Sequence, residues 1–561
     1  MNVSEYIAQF FADKLAPCRA YGVSGGAAMY LNDAICHHPG IDFTAMHHEQ
    51  AAAFAAEADA RVSNKPAIVH VTAGPGVTNA MTGVACAYAD SLPMIVIAGQ
   101  VESRTLNEGG VRQLGISEVD GVALMKPITK FAVTVLDPED IRFHLEQALY
   151  WATEGRNGPV YLEIPLDVQR AVVPDDLEGY PYTYNRSLKG YFGKDGVLDL
   201  LHQSQRPVIL IGNGVRLAGA DVEPLTELGI PILCSWSGAD LISTKEPSYI
   251  GRPGLIGDRA GNYAIQNADV ILAIGTRLSI PQIGHATELF AKNAKLIVVD
   301  IDKAELAKKT LRVDVPIHAD AKEFLDRFYR RVKRQLWGDW LELCQDMRDH
   351  FPVVDLNTKP DGVQVYGFLK DLAEVIDDDA IIVTDVGQTF VCTHQAMPMT
   401  GRQRMFHSPG IAPMGYGLPA AIGACKAGGG RQVICLTGDG GTMFNLQELQ
   451  TIVHHKLPIK IFIYENGGYK TMQTTQGNHF HRESVSSPES GVSFPDFQLI
   501  GEAFGIISYY NFHPEYVGDD GPAIFYLEID RSQVIAPLVK TTIENGEFVV
   551  PPLDQMWPKV A

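Results

Sequence analysis

Gly438-Asp439-Gly440-Gly441 follows the apolar run Val433 to Thr437, and Glu465-Asn466 follows a second apolar run, Ile459 to Tyr464. Both runs have the length and the Val and Ile content of buried strands. The 24 residues between Gly440 and Glu465 are enough for one crossover helix, which would make the two strands parallel neighbours. Because such strands end at the same edge of a sheet, the sequence predicts Asp439 and Asn466 close together at the carboxyl edge of an α/β sheet.

The residues of these two motifs suit a metal ion bound together with a diphosphate. Carboxylate and amide oxygens, as on Asp439 and Asn466, are ligands that Mg²⁺ prefers, and glycines let backbone N–H groups approach phosphate oxygens. A Gly-Asp-Gly sequence alone is more often a plain turn. The spacing of the two motifs, and the strand before each, favour the metal-diphosphate site.

Strands rich in Val and Ile alternate with helical patterns along the whole chain. Besides the two above, strands are predicted at Ala67 to Thr72, Met94 to Ala98, Val208 to Ile211, Val270 to Ile274, Leu296 to Asp300 and Ala380 to Thr384. This alternation indicates parallel sheets covered by helices on both faces. The predicted fold class is α/β, with three doubly wound parallel-sheet domains.

Polar, Pro-containing connectors divide the chain. One runs from Val172 to Arg186 and another from Asp349 to Asp361, and Thr541 to Ala561 has the Pro content of an extended tail. The predicted domains are residues 1–172, 190–345 and 358–535, and the tail is 536–561.

Composition limits the partners and the compartment. The 561 residues include 46 Lys and Arg against 66 Asp and Glu, a net charge of −20, so we expect binding to neither nucleic acid nor membranes. No apolar run approaches the ~18 residues that span a bilayer, and the N-terminus lacks a signal-peptide pattern. The eight cysteines show no metal-binding spacing. We expect a cytoplasmic protein with buried free thiols.

Further segments of the chain resemble the acetohydroxyacid (acetolactate) synthase group of thiamine-diphosphate-dependent enzymes. They are Met46 to Ala53, Thr72 to Asn79, Asp90 to Met94, Ala98 to Val101, Gly158 to Val160 with Ile164-Pro165, Thr384 to Gln388 and Met414 to Ala421. The resemblance implies a pyrimidine-binding, a central and a diphosphate-binding domain, in that order. It also implies a homo-oligomer, at least a dimer, with the cofactor between the first domain of one subunit and the third domain of another.

The resemblance implies thiamine diphosphate and Mg²⁺ as cofactors. Asp439, Asn466 and the carbonyl of Gly468 would bind the metal. The residues implied to contact the thiamine cofactor are Pro75, Asn79, Gly387, Gln388, Met414, Gly438, Gly440, Gly441 and Tyr469. Glu465 stands where the family usually has Asn, and because it only precedes the ligand we expect metal binding to be kept.

Glu49 and Met414 are the implied catalytic residues. In the family, the equivalent Glu hydrogen-bonds the aminopyrimidine ring and favours the imino form, whose nitrogen removes the thiazolium C2 proton. Glu49 begins an Ala-rich helix, where an isolated Glu would be a helix-end acid that the helix dipole stabilises. Met414 would be the apolar wedge that brings the two cofactor rings together, rather than an ordinary core methionine.

The central domain resembles the FAD site of acetohydroxyacid synthases. The residues that carry this likeness are Arg156, Gly212, Asn213, Gly214, Gly275, Arg277, Asp302 and Asp320. Each segment alone is more often a strand-to-helix turn. The polar run that usually follows the Arg of this site is replaced by Leu278-Ser279-Ile280-Pro281.

The substrate side departs from the family at three positions. Ser117 stands in place of Gln, Leu166 in place of Lys and Thr475 in place of Trp. Leu106 to Gly115, with Gln113, and Gly468 to Gln476 instead resemble a related branch that transfers the acetyl unit of pyruvate onto nucleotide-linked keto-sugars. The expected substrates are therefore a small 2-oxo acid donor and a carbonyl acceptor, with Ser117, Gln113 and Thr475 as candidate substrate contacts.

Three alternative functions remain open at this point. Acetolactate synthase with pyruvate as acceptor shares every donor-side residue, and a simple 2-oxo acid decarboxylase would replace the acceptor with a proton. An inactive cofactor-binding regulatory paralogue is the third, and the presence of Glu49, Asp439 and Asn466 argues against it.

Overall fold

The computed structural model describes residues 1–559 apart from 108, 175, 183–195, 333–336, 354–361 and 545–546. In this part of the chain, three six-stranded parallel sheets follow one another, with helices between successive strands. The predicted fold class is confirmed. The predicted strands all occur, with bounds that differ by one or two residues.

The first sheet has the strand order β2-β1-β3-β4-β6-β5. Its strands are β1 Cys18–Gly22, β2 Ile41–Ala45, β3 Ala67–Val71, β4 Met94–Gln100, β5 Phe131–Thr134 and β6 Pro159–Pro165. The accompanying helices are α1 Val3–Lys14, α2 Met29–His37, α3 Glu49–Ser63, α4 Pro75–Ala89, α5 Gly121–Met125, α6 Ile141–Thr153 and α7 Leu166–Arg170.

The second sheet belongs to the central part of the chain. Its strands are β7 Pro207–Ile211, β8 Ile232–Cys234, β9 Tyr249–Gly251, β10 Val270–Ile274, β11 Lys295–Asp300 and β12 Val315–His318. They lie in the order β12-β11-β10-β7-β8-β9. The helices are α8 Val197–Gln203, α9 Asn213–Leu217, α10 Glu223–Thr226, α11 Arg259–Asn267, α12 Ile280–Ile283, α13 Lys303–Leu306, α14 Ala321–Tyr329 and α15 Gly338–His350.

The third sheet repeats the topology of the first. Its strands are β13 Ile381–Thr384, β14 Arg404–Phe406, β15 Val433–Gly438, β16 Ile459–Glu465, β17 Ile507–Tyr510 and β18 Ala523–Glu528. Their order, β14-β13-β15-β16-β18-β17, matches that of the first sheet strand for strand. The helices are α16 Val365–Val375, α17 Gln388–Ala396, α18 Gly417–Ala427, α19 Asp439–Phe444, α20 Glu448–His454, α21 Lys470–Phe480 and α22 Phe497–Phe504.

Two further segments lie beyond the helices and central strands of the third domain. The short run from Gly505 to Gly521 forms the edge strand β17 and a single helical turn at Pro514–Tyr516. The described residues of the tail form no helix, but they contact the central domain. A short hairpin of β19 Thr542–Glu544 and β20 Glu547–Val549 precedes Leu553, whose carbonyl accepts a hydrogen bond from Asn262 (2.9 Å) in the central domain.

The exposure of the cysteines departs in part from the expectation that all are buried. Most of the eight cysteines are buried free thiols, but Cys36 is exposed and Cys425 is partly exposed, so burial does not extend to every thiol.

Among the described residues, no helix combines the length and the apolar character needed to cross a bilayer.

The Ala-rich helix α3 joins the first and third domains of the chain. All its alanines are fully buried, and the helix lies between α4 and α18. A Cβ at Gly423 of α18 would overlap the carbonyl oxygen of Ala55, so only glycine allows the two helices to approach this closely. Small residues on both helices therefore set the distance between the domain that carries Glu49 and the domain that carries Asp439.

Buried ion pairs connect all three domains at the other end of this interface. Asp240 of the central domain accepts hydrogen bonds from Arg216 (2.8 Å) and from Arg404 of the third domain. Arg404 also donates to the carbonyl of Arg61 in α3 (3.0 Å). Because each buried charge has a partner, this network holds the domains in one relative arrangement without leaving an unpaired charge.

Gly423→Ala should lower the apparent unfolding temperature by several degrees. The added methyl overlaps backbone in α3, and overpacking of this kind costs roughly 1–3 kcal/mol. Gly477→Ala in α21 is the matched control, because a Cβ there meets no atom within 4 Å, and replacing a helical Gly favours the helix by up to ~1 kcal/mol. Differential scanning fluorimetry of both variants checks this, and equal midpoints for the two would contradict it.

Candidate active site

The candidate site lies at the carboxyl edge of the third sheet. The adjacent strands β13, β15 and β16 end here, and they lead into Gly387, into Gly438 and into Asn466, respectively. The strand order reverses direction between β13 and β15, and ligands of open α/β sheets bind at such a switch point. The three segments that the sequence assigns to diphosphate and metal are thus neighbours in space.

The buried carboxylate of Asp385 joins the end of β13 to the segment that follows Met414. It accepts backbone N–H hydrogen bonds from Val386 (2.8 Å), Gly415 (3.1 Å) and Gly417 (3.0 Å). Burial raises the pKa of Asp385 to about 6, and these hydrogen bonds oppose that rise. Asp385 lies inside the family motif Thr384 to Gln388, but its sequence context alone does not indicate a role. The side chain positions the backbone around Met414 relative to the end of β13.

Asp439 and Asn466 form a donor set that fits a divalent cation. The Asp439 carboxylate accepts N–H hydrogen bonds from Gly440 (2.6 Å) and Gly468 (3.0 Å), and burial raises its pKa to about 7. Asn466 donates through Nδ2 to Gln388 Oε1 (2.9 Å), and its own Oδ1 is buried without a partner in the described part of the chain. A bound cation would satisfy this oxygen and offset the cost of burying the carboxylate.

A second buried side-chain atom in this region is a hydrogen-bond donor that fits an anion. Nε2 of Gln388 is buried and lacks a hydrogen-bond partner among the residues that the structure describes. A Cβ at Gly387 or at Gly438 would meet no atom within 4 Å, so both glycines border open space. The Asn466 acceptor suits a metal ion, and the Gln388 donor suits a phosphate oxygen. Together with the open space at Gly387 and Gly438, they fit a magnesium diphosphate.

The other glycines of the motif serve close packing. A Cβ at Gly440 would overlap the ring of Tyr469 and lie 3.1 Å from the Met414 methyl, and a Cβ at Gly441 would lie 2.8 Å from the carboxyl carbon of Asp385. Met414 and Tyr469 therefore contact the Gly-Asp-Gly turn. Gly468 likewise leaves no room for a side chain, because a Cβ there would overlap the carbonyl oxygen of Ser486.

The structure brings Glu49, Asn79 and Pro75 together in the first domain. Glu49 is the first residue of α3 and is 8% exposed, and the side chain of Asn79 donates to its Oε2 (2.9 Å). Pro75 begins α4, one turn before Asn79, and Gly76 lies opposite Oε1 of Glu49. One carboxylate oxygen is thus held by Asn79, and the other faces a residue without a side chain.

The candidate substrate residues fall into two places. Gln113 and Ser117 lie in one loop of the first domain, where Gln113 Nε2 donates to the carbonyl of Glu118 (3.0 Å). Thr475 is exposed on α21 of the third domain, and its hydroxyl donates to Thr471 within that helix (2.9 Å). No hydrogen bond between described residues joins these two places. Leu166 begins α7 and is partly buried.

A separate cavity of about 210 Å³ lies where the central domain meets the other two. Six of the residues predicted for FAD line it, namely Arg156, Asn213, Gly214, Gly275, Arg277 and Asp320. Gly212 does not line the cavity, but a Cβ there would overlap the carbonyl of Gly275. The Asp302 carboxylate does not line it either, because it pairs with Arg156 (2.9 Å) and caps α13.

Several side chains that line this cavity could not be recognised from the sequence. Trp236, Gln282 and Phe390 also line it. The ring N–H of Trp236 and Nε2 of Gln282 are buried donors that find no partner among the described residues. Phe390 lies edge to face with Trp236 (ring centroids 5.0 Å apart). Neither Trp236 nor Phe390 lies in a nucleotide-binding pattern, so only the packing of three domains reveals them. Aromatic walls with free donors suit a flat heteroaromatic ligand.

The chain matches three family models that together describe one class of enzyme. Residues 1–124 match the N-terminal binding domain of thiamine pyrophosphate enzymes, residues 195–328 match their central domain, and residues 385–520 match their C-terminal binding domain. These matches are in the order that the sequence resemblance implied.

Similar proteins indicate which family of thiamine pyrophosphate enzymes the chain resembles. The chain is 33% identical over 540 residues to acetolactate synthase isozyme 1 large subunit of Escherichia coli, with 94% of each chain covered. It is 35% identical over 507 residues to a probable acetolactate synthase large subunit of Methanocaldococcus jannaschii, covering 87% of this chain and 83% of that one. The chain belongs to the acetolactate synthase-like family of thiamine pyrophosphate enzymes. It is a thiamine-pyrophosphate-dependent enzyme of the carboligase class.

Asp439→Ala should abolish metal-dependent binding of thiamine diphosphate. The change removes the only charged side chain of the proposed metal ligands, while Asp371→Ala, at an exposed position of α16, is the matched control. Equilibrium dialysis with and without Mg²⁺ measures the effect, and EDTA treatment of wild-type protein should reproduce it. Metal-free wild-type protein that binds the cofactor as tightly as metal-loaded protein would contradict the assignment.

Proposed function

We propose that this enzyme decarboxylates pyruvate, or a similar small 2-oxo acid, and transfers the two-carbon unit to a second carbonyl compound. Thiamine diphosphate held by Mg²⁺ supplies the nucleophilic carbon and accepts the electron pair that decarboxylation releases. The observation that carries the proposal is the pair of unpartnered buried atoms, Asn466 Oδ1 and Gln388 Nε2, beside Asp439. Asp439, Asn466 and the carbonyl of Gly468 bind the metal, and Gln388 with the backbone at Gly387 and Gly438 binds the diphosphate.

Glu49 is the proton-handling residue in this proposal. Asn79 holds Oε2, so Oε1 is the oxygen available to hydrogen-bond the ring nitrogen of the aminopyrimidine. The start of α3 places the positive end of a helix dipole beside the Glu49 carboxylate. Met414, next to Gly440 at the start of α19, would be the apolar contact of the bound cofactor.

The proposed active site lies between two copies of the chain. On one chain, apolar side chains near both halves of the site are exposed, including Ile116 (90%) in the first domain and Phe444 (53%) and Ile411 (49%) in the third. Such residues near a functional site are typical of a covered interface. A second copy would bring Glu49 of one subunit to the Asp439 side of the other.

The acceptor is proposed to be a bulky carbonyl compound, such as a nucleotide-linked keto-sugar. Thr475 is exposed on α21 and leaves open the volume that a Trp would fill, and Leu166 supplies no cation for a second carboxylate. The competing candidate is acetolactate formation with pyruvate as acceptor, which the names of the relatives favour. These two candidate reactions share the donor and differ only in the carbonyl compound that accepts the two-carbon unit.

The central cavity is proposed to bind FAD. The free donors of Trp236 and Gln282 and the cations Arg156 and Arg277 fit a ligand with a flat ring at one end and phosphates along its length. The carboxylates of Asp302 and Asp320 already cap α13 and α14, so we assign them to holding the cavity wall.

Glu49→Gln should lower turnover by at least ~10²-fold while cofactor binding persists, because the amide cannot stabilise the proton on the ring nitrogen. Glu223→Gln, an exposed acid in the first turn of α10, makes the same chemical change at another helix start and should leave turnover unchanged. Carbon dioxide release from pyruvate measures turnover. Near-normal release by Glu49→Gln would remove Glu49 from the mechanism.

Wild-type enzyme should form acetolactate slowly from pyruvate alone and react faster with a larger ketone or aldehyde. Thr475→Trp should shift the product ratio toward small acceptors, because the ring fills the open volume. Thr474→Trp, at the adjacent exposed position of α21, controls for added bulk on the helix. Mass spectrometry identifies the products, and efficient acetolactate formation by wild type with no use of larger acceptors would refute the acceptor proposal.

Purified protein should be yellow and release FAD on denaturation. Visible absorbance before and after heating, with chromatography of the released flavin, checks this. A colourless preparation that is fully active without added flavin would end the FAD proposal.

A further inference from the structure

The loop that carries Gln113 and Ser117 is folded around one carboxylate. Glu118 accepts backbone N–H hydrogen bonds from Asn107, Leu114 (2.9 Å) and Gly115 (2.8 Å). Burial disfavours the charged form of Glu118, but these three hydrogen bonds outweigh it, and the pKa lies below its ordinary value. One charged side chain therefore satisfies the backbone at both ends of the loop.

Ser117 is held in a conformation that serine rarely adopts. Its φ is 61°, in the left-handed region, and its carbonyl oxygen occupies the space that a side chain on Gly74 would need. A non-glycine residue in this region costs free energy and persists only where the surroundings hold it. The hydrogen bonds from the N–H groups of Leu114 and Gly115 to the Glu118 side chain span Ser117 and supply that constraint.

The loop contacts the helix that orients Glu49. Gly74, against which Ser117 packs, is the N-cap of α4, and its φ of 66° lets the chain turn into that helix. Asn79, one turn further along α4, donates to Glu49 Oε2. A continuous set of contacts thus runs from Glu118 through Ser117 and the start of α4 to Glu49.

The geometry points to Glu118 as a positioning residue for the carboligation reaction, acting through the 106–118 loop and the start of α4. Glu118 itself touches neither Glu49 nor the metal ligands through any hydrogen bond of the described residues. Its role is to hold the Ser117 backbone against Gly74, so that the substrate side of the site has one shape. This inference rests on the proposed carboligase function.

Glu118→Gln tests the inference with little change in size. A glutamine retains one acceptor oxygen, so either Asn107 N–H or the N–H groups of Leu114 and Gly115 would face an NH₂ group instead. Glu139→Gln, at an exposed position of the same domain, is the matched control. The readouts are the kcat and KM of carboligation, the rate of tryptic cleavage after the exposed Arg112, and the unfolding midpoint.

We expect Glu118→Gln to raise the KM at least ~10-fold with a smaller change in kcat, and to speed cleavage after Arg112 by a similar factor, at an almost unchanged unfolding midpoint. An unchanged KM, or equal cleavage rates in variant and wild type, would overturn the inference while the proposed function stands. Wild-type protein that performs no carboligation would overturn the proposed function, and the positioning role with it.

Discussion

The structure depends on one constraint: the backbone at the carboxyl edge of the third sheet must be held open for a ligand while its polar groups stay satisfied. Asp385 meets this constraint by accepting three backbone N–H groups from two segments that are distant in sequence. Because a buried carboxylate without such donors would be costly, the side chain and the surrounding loops stabilise each other. Met414 and Gln388 lie beside these loops, and their positions follow from this one interaction.

The same sheet topology occurs twice, and the two copies carry complementary chemistry. In the third sheet, β15 leads into Asp439 at the start of α19, and in the first sheet, the equivalent strand β3 leads through Gly74 into α4, which orients Glu49. One copy carries the residues proposed to bind metal and diphosphate, and the other carries the buried carboxylate of Glu49. The Ala-rich helix α3 packs the two copies together within one chain, and exposed apolar residues such as Phe444 remain for a second chain.

Much of this could be predicted from the sequence, because apolar strand runs and glycine motifs are local. The positions of Asp439, Asn466 and Gly440 at one sheet edge follow from strand spacing alone, and the fold class follows from strand and helix alternation. Glu118 could not be recognised, because its role depends on hydrogen bonds to backbone that only the folded loop brings near. Trp236 and Phe390 were missed for the same reason, since they meet only where domains pack.

The most direct test of this account is the affinity for thiamine diphosphate, measured by isothermal titration calorimetry with Mg²⁺ present, of wild-type protein and of Asp385→Asn. Asp378→Asn, an exposed position in the same domain, is the control. An amide at 385 keeps the size but turns one backbone N–H acceptor into a donor, so the account predicts binding at least ~10-fold weaker than wild type at an otherwise normal fold. Equal affinity of Asp385→Asn and wild type, or wild-type protein that fails to bind thiamine diphosphate, would contradict it.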